Sequence, residues 1–267
     1  LKNAFGEVHH NLIPCILKYH KIPEPVIKLV CHLYDNFETS IITSKFSTPF
    51  IPVRRGVLQG DSYSPSMFNM CFHTFIQYIR SEEYCQLGYR MGTRIIPRHW
   101  FEFADNATVV TSNESENQIL LNCFTRWCQW SNMIIRVDKC STFGIKKCLT
   151  SSSQYLPELL VNNERISPTV LRDSFTYLGK HFNYNMNDEL HKSEILETTT
   201  NLMKLIDRLP IDPKYKLMIY QKYVLAKISW HLTVSDITKT WVVNNMDNMI
   251  SSYVRFWFEI PINGTLD

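Results

Sequence analysis

Two short apolar, β-prone runs, Trp100 to Ala104 and Ala107 to Thr111, are joined by Asp105-Asn106 and preceded by a glycine-bracketed block, Arg55-Gly56-Val57-Leu58-Gln59-Gly60-Asp61. Asp and Asn tolerate the positive φ of a two-residue turn, so a hairpin with this dipeptide at its tip is expected. The upstream block leads into Ser62 and Ser64 as candidate N-caps, Pro65 at the first helical position, and Met67, Phe68, Cys71, Phe72, Phe75, Ile76 and Ile79 at helical spacing. A loop that feeds a buried helix and then a hairpin is a demanding order of elements. Turn chemistry alone would make the hairpin a surface feature, and only this context gives Asp105 a second meaning.

The rest of the chain extends the pattern. Val8 to Phe37 has the spacing of two helices, broken at Pro23 and Pro25, and Thr39 to Val53 alternates as a strand pair. Leu87 to Ile96 suggests a small basic hairpin. Ser115 to Met133 is an amphipathic helix, followed by strand-like Ile134 to Val137 and Thr142 to Ile145. After Phe182 a turn-rich link containing Asn183, Asn185, Asn187 and Asp188 opens into three helical stretches near 188–208, 213–232 and 238–258. Helices alternating with mainly antiparallel strands make the fold class α+β.

At 267 residues, 45% apolar and 13% aromatic, the chain can bury a sizeable core and does not have the composition of a disordered tail. A net charge of +3 does not mark a nucleic-acid binder, but its distribution is uneven. Thr39 to Gly60 carries Lys45, Arg54 and Arg55 with no acid, and Tyr84 to Phe101 carries Arg90, Arg94 and Arg98 with no acid. These are candidate phosphate contacts, or equally a solvated basic face. The eight cysteines form no Cys-x-x-Cys and mostly sit in apolar periodic surroundings, as small buried hydrophobes in a reducing compartment do. An intracellular protein of the nucleus or cytoplasm, not a secreted one, is expected. His9-His10 lacks partners at metal-ligand spacing and reads as helix surface. No apolar run reaches the roughly 20 residues of a membrane span, and no signal peptide is evident.

Taken together, GVLQGDSYSP, FADN, VDKCSTFGI and FTYLGKHF resemble, in order, the reverse transcriptases of non-LTR, LINE-like retrotransposons. Leu1-Lys2-Asn3-Ala4-Phe5 fits a further block, in which the family has an Asp, four residues, and Phe or Tyr; that Asp would directly precede Leu1. The resemblance implies a polymerase palm over residues 1–184, partial because the fingers would lie upstream, and an all-helical thumb over 185–267. It implies RNA-templated DNA synthesis, with an RNA template, a DNA primer and deoxynucleoside triphosphates as partners, no membrane, and Mg2+ as cofactor.

Nucleotidyl transfer needs a deprotonated primer 3′-hydroxyl, an in-line α-phosphate and neutralisation of developing charge, which hard cations held by carboxylates supply. The family pattern makes Asp105 a metal ligand and expects another Asp beside it, where this chain has Asn106. Asn keeps a carbonyl oxygen and loses a unit charge, worth about 4 kcal/mol at 4 Å and an effective dielectric near 20. That is about a thousandfold in rate, so the chain by itself is expected to be nearly inactive. Phe5 matches the family's steric gate against ribonucleotides; a core aromatic at a helix start is the plainer reading. Arg55, Gln59 and Gly60 match the loop that packs on the nascent base pair, Gly60 permitting close backbone approach and Gln59 offering a neutral donor and acceptor. Lys139 matches a lysine proposed to protonate the leaving pyrophosphate, although a surface lysine after a strand fits as well. Tyr177, Leu178 and Gly179 match the primer-grip hairpin, where Gly allows a tight turn. A non-catalytic nucleic-acid-binding remnant, and a decayed frame whose product leaves apolar palm surface exposed, stay open beside the catalytic reading.

Overall fold

The computed structural model describes residues 1–93 and 96–261. Of these, residues 1–93, 96–144 and 155–168 form one compact unit, and residues 145–154 with 169–261 form a second.

The first unit begins with helices α1 (Ile13–Tyr19) and α2 (Glu24–Tyr34), the latter entered through Pro25 in its first turn. Strands β1 (Glu38–Thr39) and β2 (Ile51–Pro52) pair antiparallel. Helix α3 (Ser64–Ile79) is the centre of the unit, burying Met67, Phe68, Cys71, Phe72, Phe75 and Ile79 at the spacing expected of one helical face. Each such side chain, fully withdrawn from water, contributes about 1.5–3 kcal/mol. Neither Ser62 nor Ser64 caps this helix; the N-cap is Tyr63, and the Ser64 hydroxyl donates to Leu58 O at 2.6 Å. The serine is drawn into closing the preceding loop, a competing use of the same short hydroxyl.

Strands β3 (Trp100–Phe103) and β4 (Asn106–Val109) form the expected hairpin with a different turn. Phe103 pairs with Asn106, so the two-residue loop is Ala104-Asp105 and Asn106 opens the returning strand. Register explains the slip: Trp100 and Val109 pair on the face packed against the core, and moving the turn by one residue would turn them out to solvent. Helix α4 (Glu114–Ser131) starts at Asn113, whose side chain accepts from Glu116 N–H at 2.9 Å while its amide donates to the Glu116 carboxylate. It ends at Asn132 in the left-handed conformation, φ +58°. Leu120, Cys123, Phe124, Trp127 and Cys128 of α4 meet the aromatic face of α3.

Strands β5 (Ser141–Thr142), β6 (Gly144–Lys147), β7 (Ser152–Tyr155), β8 (Leu160–Val161), β9 (Glu164–Arg165) and β10 (Ser167–Pro168) follow. β5 pairs parallel with β10, β6 pairs with β7, and β8 antiparallel with β9. Ile134 to Val137 is not a strand: Ile134 O accepts from Lys2 N–H, and Val137–Lys139 is a 3-10 turn. Where one antiparallel palm sheet was expected, the strands among the described residues are joined only in pairs.

In the second unit β11 (Ser174–Tyr177) and β12 (Lys180–Asn183) form a hairpin, followed by α5 (Glu189–Asp207). Two long helices complete it. One runs through α6 (Pro213–Ile219), a π turn at Tyr220–Val224 and α7 (Leu225–Val234); the other through α8 (Lys239–Val242), a π turn at Val243–Asp247 and α9 (Asn248–Phe258). Their apolar faces fill two small cores, one around Met203, Ile206, Val224 and Trp257 and one around Ile195, Ile228 and Met246. No helix among the described residues is long and apolar enough to cross a membrane. The cysteines are all free; Cys71, Cys123 and Cys128 are buried as expected, whereas Cys15 and Cys148 are exposed.

Candidate functional site

The loop before α3 and the N-terminal segment build one site together. Val57 N–H donates to Phe5 O at 2.8 Å and Gly56 N–H to Val8 O at 2.8 Å, which lays the two stretches side by side. Gly56 has φ +96°, and a Cβ there would sit 3.2 Å from the Cα of Gly6, so this close approach requires glycine. The half-buried Phe5 ring stacks on Phe68 with centroids 4.5 Å apart and an interplanar angle of 22°. It therefore belongs to the edge of the core as well as to the candidate gate position.

Arg55 reaches across to Glu7, Nη1 to Oε2 at 2.8 Å, with the Glu7 side chain 9% exposed and that of Arg55 57% exposed. The guanidinium is thus held in place by one carboxylate while much of it faces solvent. Gln59 and Gly60 are exposed, and Gly60 adopts φ +97° with open space where a side chain would begin. An open cleft of about 670 Å³ runs along this loop, lined by residues that include Arg54, Arg55, Gln59, Asn3 and Phe37. His10, expected on a helix surface, instead has its Nε2 2.9 Å from Gly56 O and its ring against Tyr34. Of the second basic stretch, Arg90 and Arg98 are exposed, and Arg94 lies outside the described residues.

The β3–β4 hairpin is fastened at its base and free at its tip. The Trp100 ring lies 4.7 Å from Phe75 and 5.1 Å from Phe124, centroid to centroid. Asp105 is half-exposed and Asn106 exposed at the other end. Ala104 takes φ +53°, a left-handed conformation that costs a non-glycine residue about 1–2 kcal/mol. Between base and tip, burial pushes the Glu102 carboxyl up to about 7, against the opposing pull of a hydrogen bond from Trp100 Nε1 at 3.2 Å. Among the described residues no cluster of carboxylates forms around Asp105; the group of ligand atoms close enough to share a metal is His181, His191 and Glu194 in the second unit. One carboxylate with an adjacent amide does not fit the two-metal set that Mg2+-dependent nucleotidyl transfer requires.

Lys139 is exposed at the end of the 3-10 turn, beside an Arg136–Asp138 ion pair. Tyr177, Leu178 and Gly179 lie in the second unit as the turn of the β11–β12 hairpin. Tyr177 pairs with Lys180, and Leu178 and Gly179 take φ +49° and +79°, the two positive values of a type I′ turn. Within the first unit, hydrogen bonding and stacking bring Phe5 together with the Arg55–Gly60 loop; Asp105, Asn106 and Lys139 make no such link to them. Glu7 and His10, which hold the loop beside the cleft, carry no signal in the sequence because their partners Arg55 and Gly56 lie tens of residues away along the chain.

Residues 1–182 match the family described as reverse transcriptase (RNA-dependent DNA polymerase). The whole chain is similar to Pol polyproteins of R2 retrotransposable elements: 24% identical to that of the type-2 element R2DM of Drosophila melanogaster and 23% to that of a type-1 element of Nasonia vitripennis. Each alignment covers 98% of this chain, but 24% and 25% of those relatives, so the chain spans about a quarter of their length. A Pol polyprotein of Popillia japonica is 24% identical, with 96% of this chain and 35% of the relative aligned. The family match extends from Phe5 through the loop, the hairpin and Lys139 to the strand that follows Gly179, and the chain belongs to the reverse transcriptase family, as a domain of the non-LTR retrotransposon kind.

Proposed function

We propose that this chain is the template-and-primer-handling part of a retrotransposon polymerase that synthesises DNA on RNA, with its own chemistry weakened at Asn106. The observation that carries the reading is the match of residues 1–182 together with an Asp105 presented at an exposed, backbone-strained hairpin tip. In this reading residues 1–184 act as a palm and 185–267 as a thumb. The exposed Arg54 and the Glu7-braced Arg55 hold backbone phosphates in the cleft, and Gln59 and Gly60 meet the nascent base pair. Phe5 excludes a 2′-hydroxyl, Lys139 donates a proton to pyrophosphate, and Tyr177, Leu178 and Gly179 grip the primer. Mg2+ would supply charge neutralisation at the α-phosphate, and Asp105 is the carboxylate among the described residues that the family pattern assigns to it.

A second reading, nucleic-acid binding without catalysis, is favoured by one observation, the lone carboxylate at the tip. Primer extension on a poly(rA) template with Mg2+ or Mn2+ separates the two. It should be run on the chain and on a longer protein bearing an Asp before Leu1, each with and without Asn106→Asp. The catalytic reading expects Asn106→Asp to raise incorporation by up to about a thousandfold in the longer protein, and Asp105→Ala to abolish it. No gain from Asn106→Asp, with salt-sensitive hybrid binding retained, would leave the non-catalytic reading standing.

A further inference from the structure

The second unit contains a cluster that the polymerase reading does not use. His181 on β12, His191 and Glu194 on α5 each place one potential ligand atom within 4.8 Å of the other two. His191 is 1% exposed, and its Nδ1 is buried with no hydrogen-bond partner, while its Nε2 lies 3.2 Å from Nδ1 of His231 on α7. His181 Nε2 lies 2.8 Å from the Glu194 carboxylate, and its Nδ1 lies 3.2 Å from the Thr176 hydroxyl. Burial and the neighbouring His231 and His181 rings hold His191 below the ordinary histidine range, in the neutral form that binds metals.

We propose that His181, His191 and Glu194 bind a borderline divalent transition cation, Zn2+ in the first instance, which ties the β11–β12 hairpin to helix α5. The donor set decides the metal class. Two imidazole nitrogens and one carboxylate suit Zn2+, whereas Mg2+ and Ca2+ want oxygen ligands throughout. Tetrahedral Zn2+ with bonds near 2.0–2.1 Å needs donor atoms about 3.3 Å apart, so His181 Nε2 and the Glu194 carboxylate, now 2.8 Å apart, have to separate a little and the longer spacings of the cluster, up to 4.8 Å, have to close. Glu194 and His181 are free to do so, with side chains 54% and 29% exposed. On binding, His181 carries its remaining proton on Nδ1 and donates it to Thr176 Oγ1. His231 orients His191 from the far side, the outer-shell hydrogen bond that ligating histidines usually keep. Glu194 lies one turn from His191 on α5, so one rigid helix supplies two ligands and the hairpin the third. The alternative is a purely hydrogen-bonded relay of the same side chains, which would leave His191 Nδ1 unpartnered.

The test uses the 267-residue chain, stripped of metal and kept reduced, titrated with Zn2+ against a chromophoric chelator and separately with Co2+. His181→Asn and Glu194→Gln are the variants, because both sites are partly exposed and each can be checked for intact folding by circular dichroism. The proposal expects one equivalent of metal, the visible bands of four-coordinate Co2+ without a thiolate charge-transfer band, and a Zn2+-induced rise in melting temperature. Both variants should bind at least tenfold more weakly and lose that rise. Binding unchanged in either variant, a thiolate band pointing to the free cysteines, or no binding by the parent chain would overturn it.

Discussion

Two of the tight hairpins among the described residues, β3–β4 and β11–β12, solve the same geometric problem in opposite ways. The first, β3–β4, is anchored at its open end by Trp100 among Phe75 and Phe124, and its tip carries Ala104 and Asp105 without a supporting hydrogen bond. The second, β11–β12, is held at its tip: Trp230 Nε1 donates to Leu178 O at 2.8 Å, and Lys180 Nζ reaches Val234 O and the buried Asp188. Phe175 and Phe182 add a cross-strand stack, centroids 5.5 Å apart. An apolar anchor at the base leaves a polar tip available for chemistry, whereas polar clamps along the length and at the turn make a hairpin a fixed platform.

The sharpest way to break the contrast is Trp100→Ala, which removes the apolar anchor. It should destabilise the first unit by about 3 kcal/mol, the low end for loss of a buried aromatic, as measured by chemical denaturation. A loss of less than about 1 kcal/mol would mean that the hairpin is held by something other than this ring. Trp230→Phe tests the other side. It keeps most of the apolar ring and deletes one hydrogen bond, so a loss of about 0.5–1.5 kcal/mol is expected, with faster amide exchange at the Leu178-Gly179 turn.

The smallest expected effect sharpens the comparison through pH. Glu102 keeps its proton to about 7 in the fold against an ordinary value of 4.5. Its contribution to stability is therefore complete below about pH 4.5 and declines as pH rises from there through 7, because the unfolded chain ionises first. Glu102 is only part-buried, so solvent screening keeps this below about 1 kcal/mol. Glu102→Gln should flatten the fall in melting temperature between about pH 4.5 and 7; an unchanged profile would assign the dependence elsewhere.

What could be read from the sequence follows the range of the forces involved. The helices of both units were legible because apolar periodicity reports a buried face directly, as in the Met67 to Ile79 series. The first hairpin was legible but its turn was not, since Asp-Asn chemistry pointed to one loop and the burial of Trp100 and Val109 imposed another. Ser64 does not serve as a cap because a carbonyl of the preceding loop, Leu58 O, takes its hydroxyl. Ile134 to Val137 has β-prone residues yet no ladder, because Lys2 takes its first carbonyl. In the candidate site, Gln59, Gly60 and Asp105 could be named from motif order, while Glu7 and His10 became visible only when the chain brought them to Arg55 and Gly56. His191 and Glu194 share one helical face at i,i+3, a weak signal by itself, and His181 and His231 join them only through the fold of the hairpin and α7.

The π turns at Tyr220–Val224 and Val243–Asp247 act as phase shifters. Each wide turn holds one residue more than an α turn, rotating all that follows by about 100° around the axis. Val224 faces Met203 and Trp257, whereas Ile228, just beyond the first shift, joins Ile195 and Met246; the other helix visits the same two clusters in reverse, from Met246 to Trp257. One helix thus serves two cores in succession along its length. Excising the extra residue would regularise the backbone ladder and put half of each helix out of register with the core it serves.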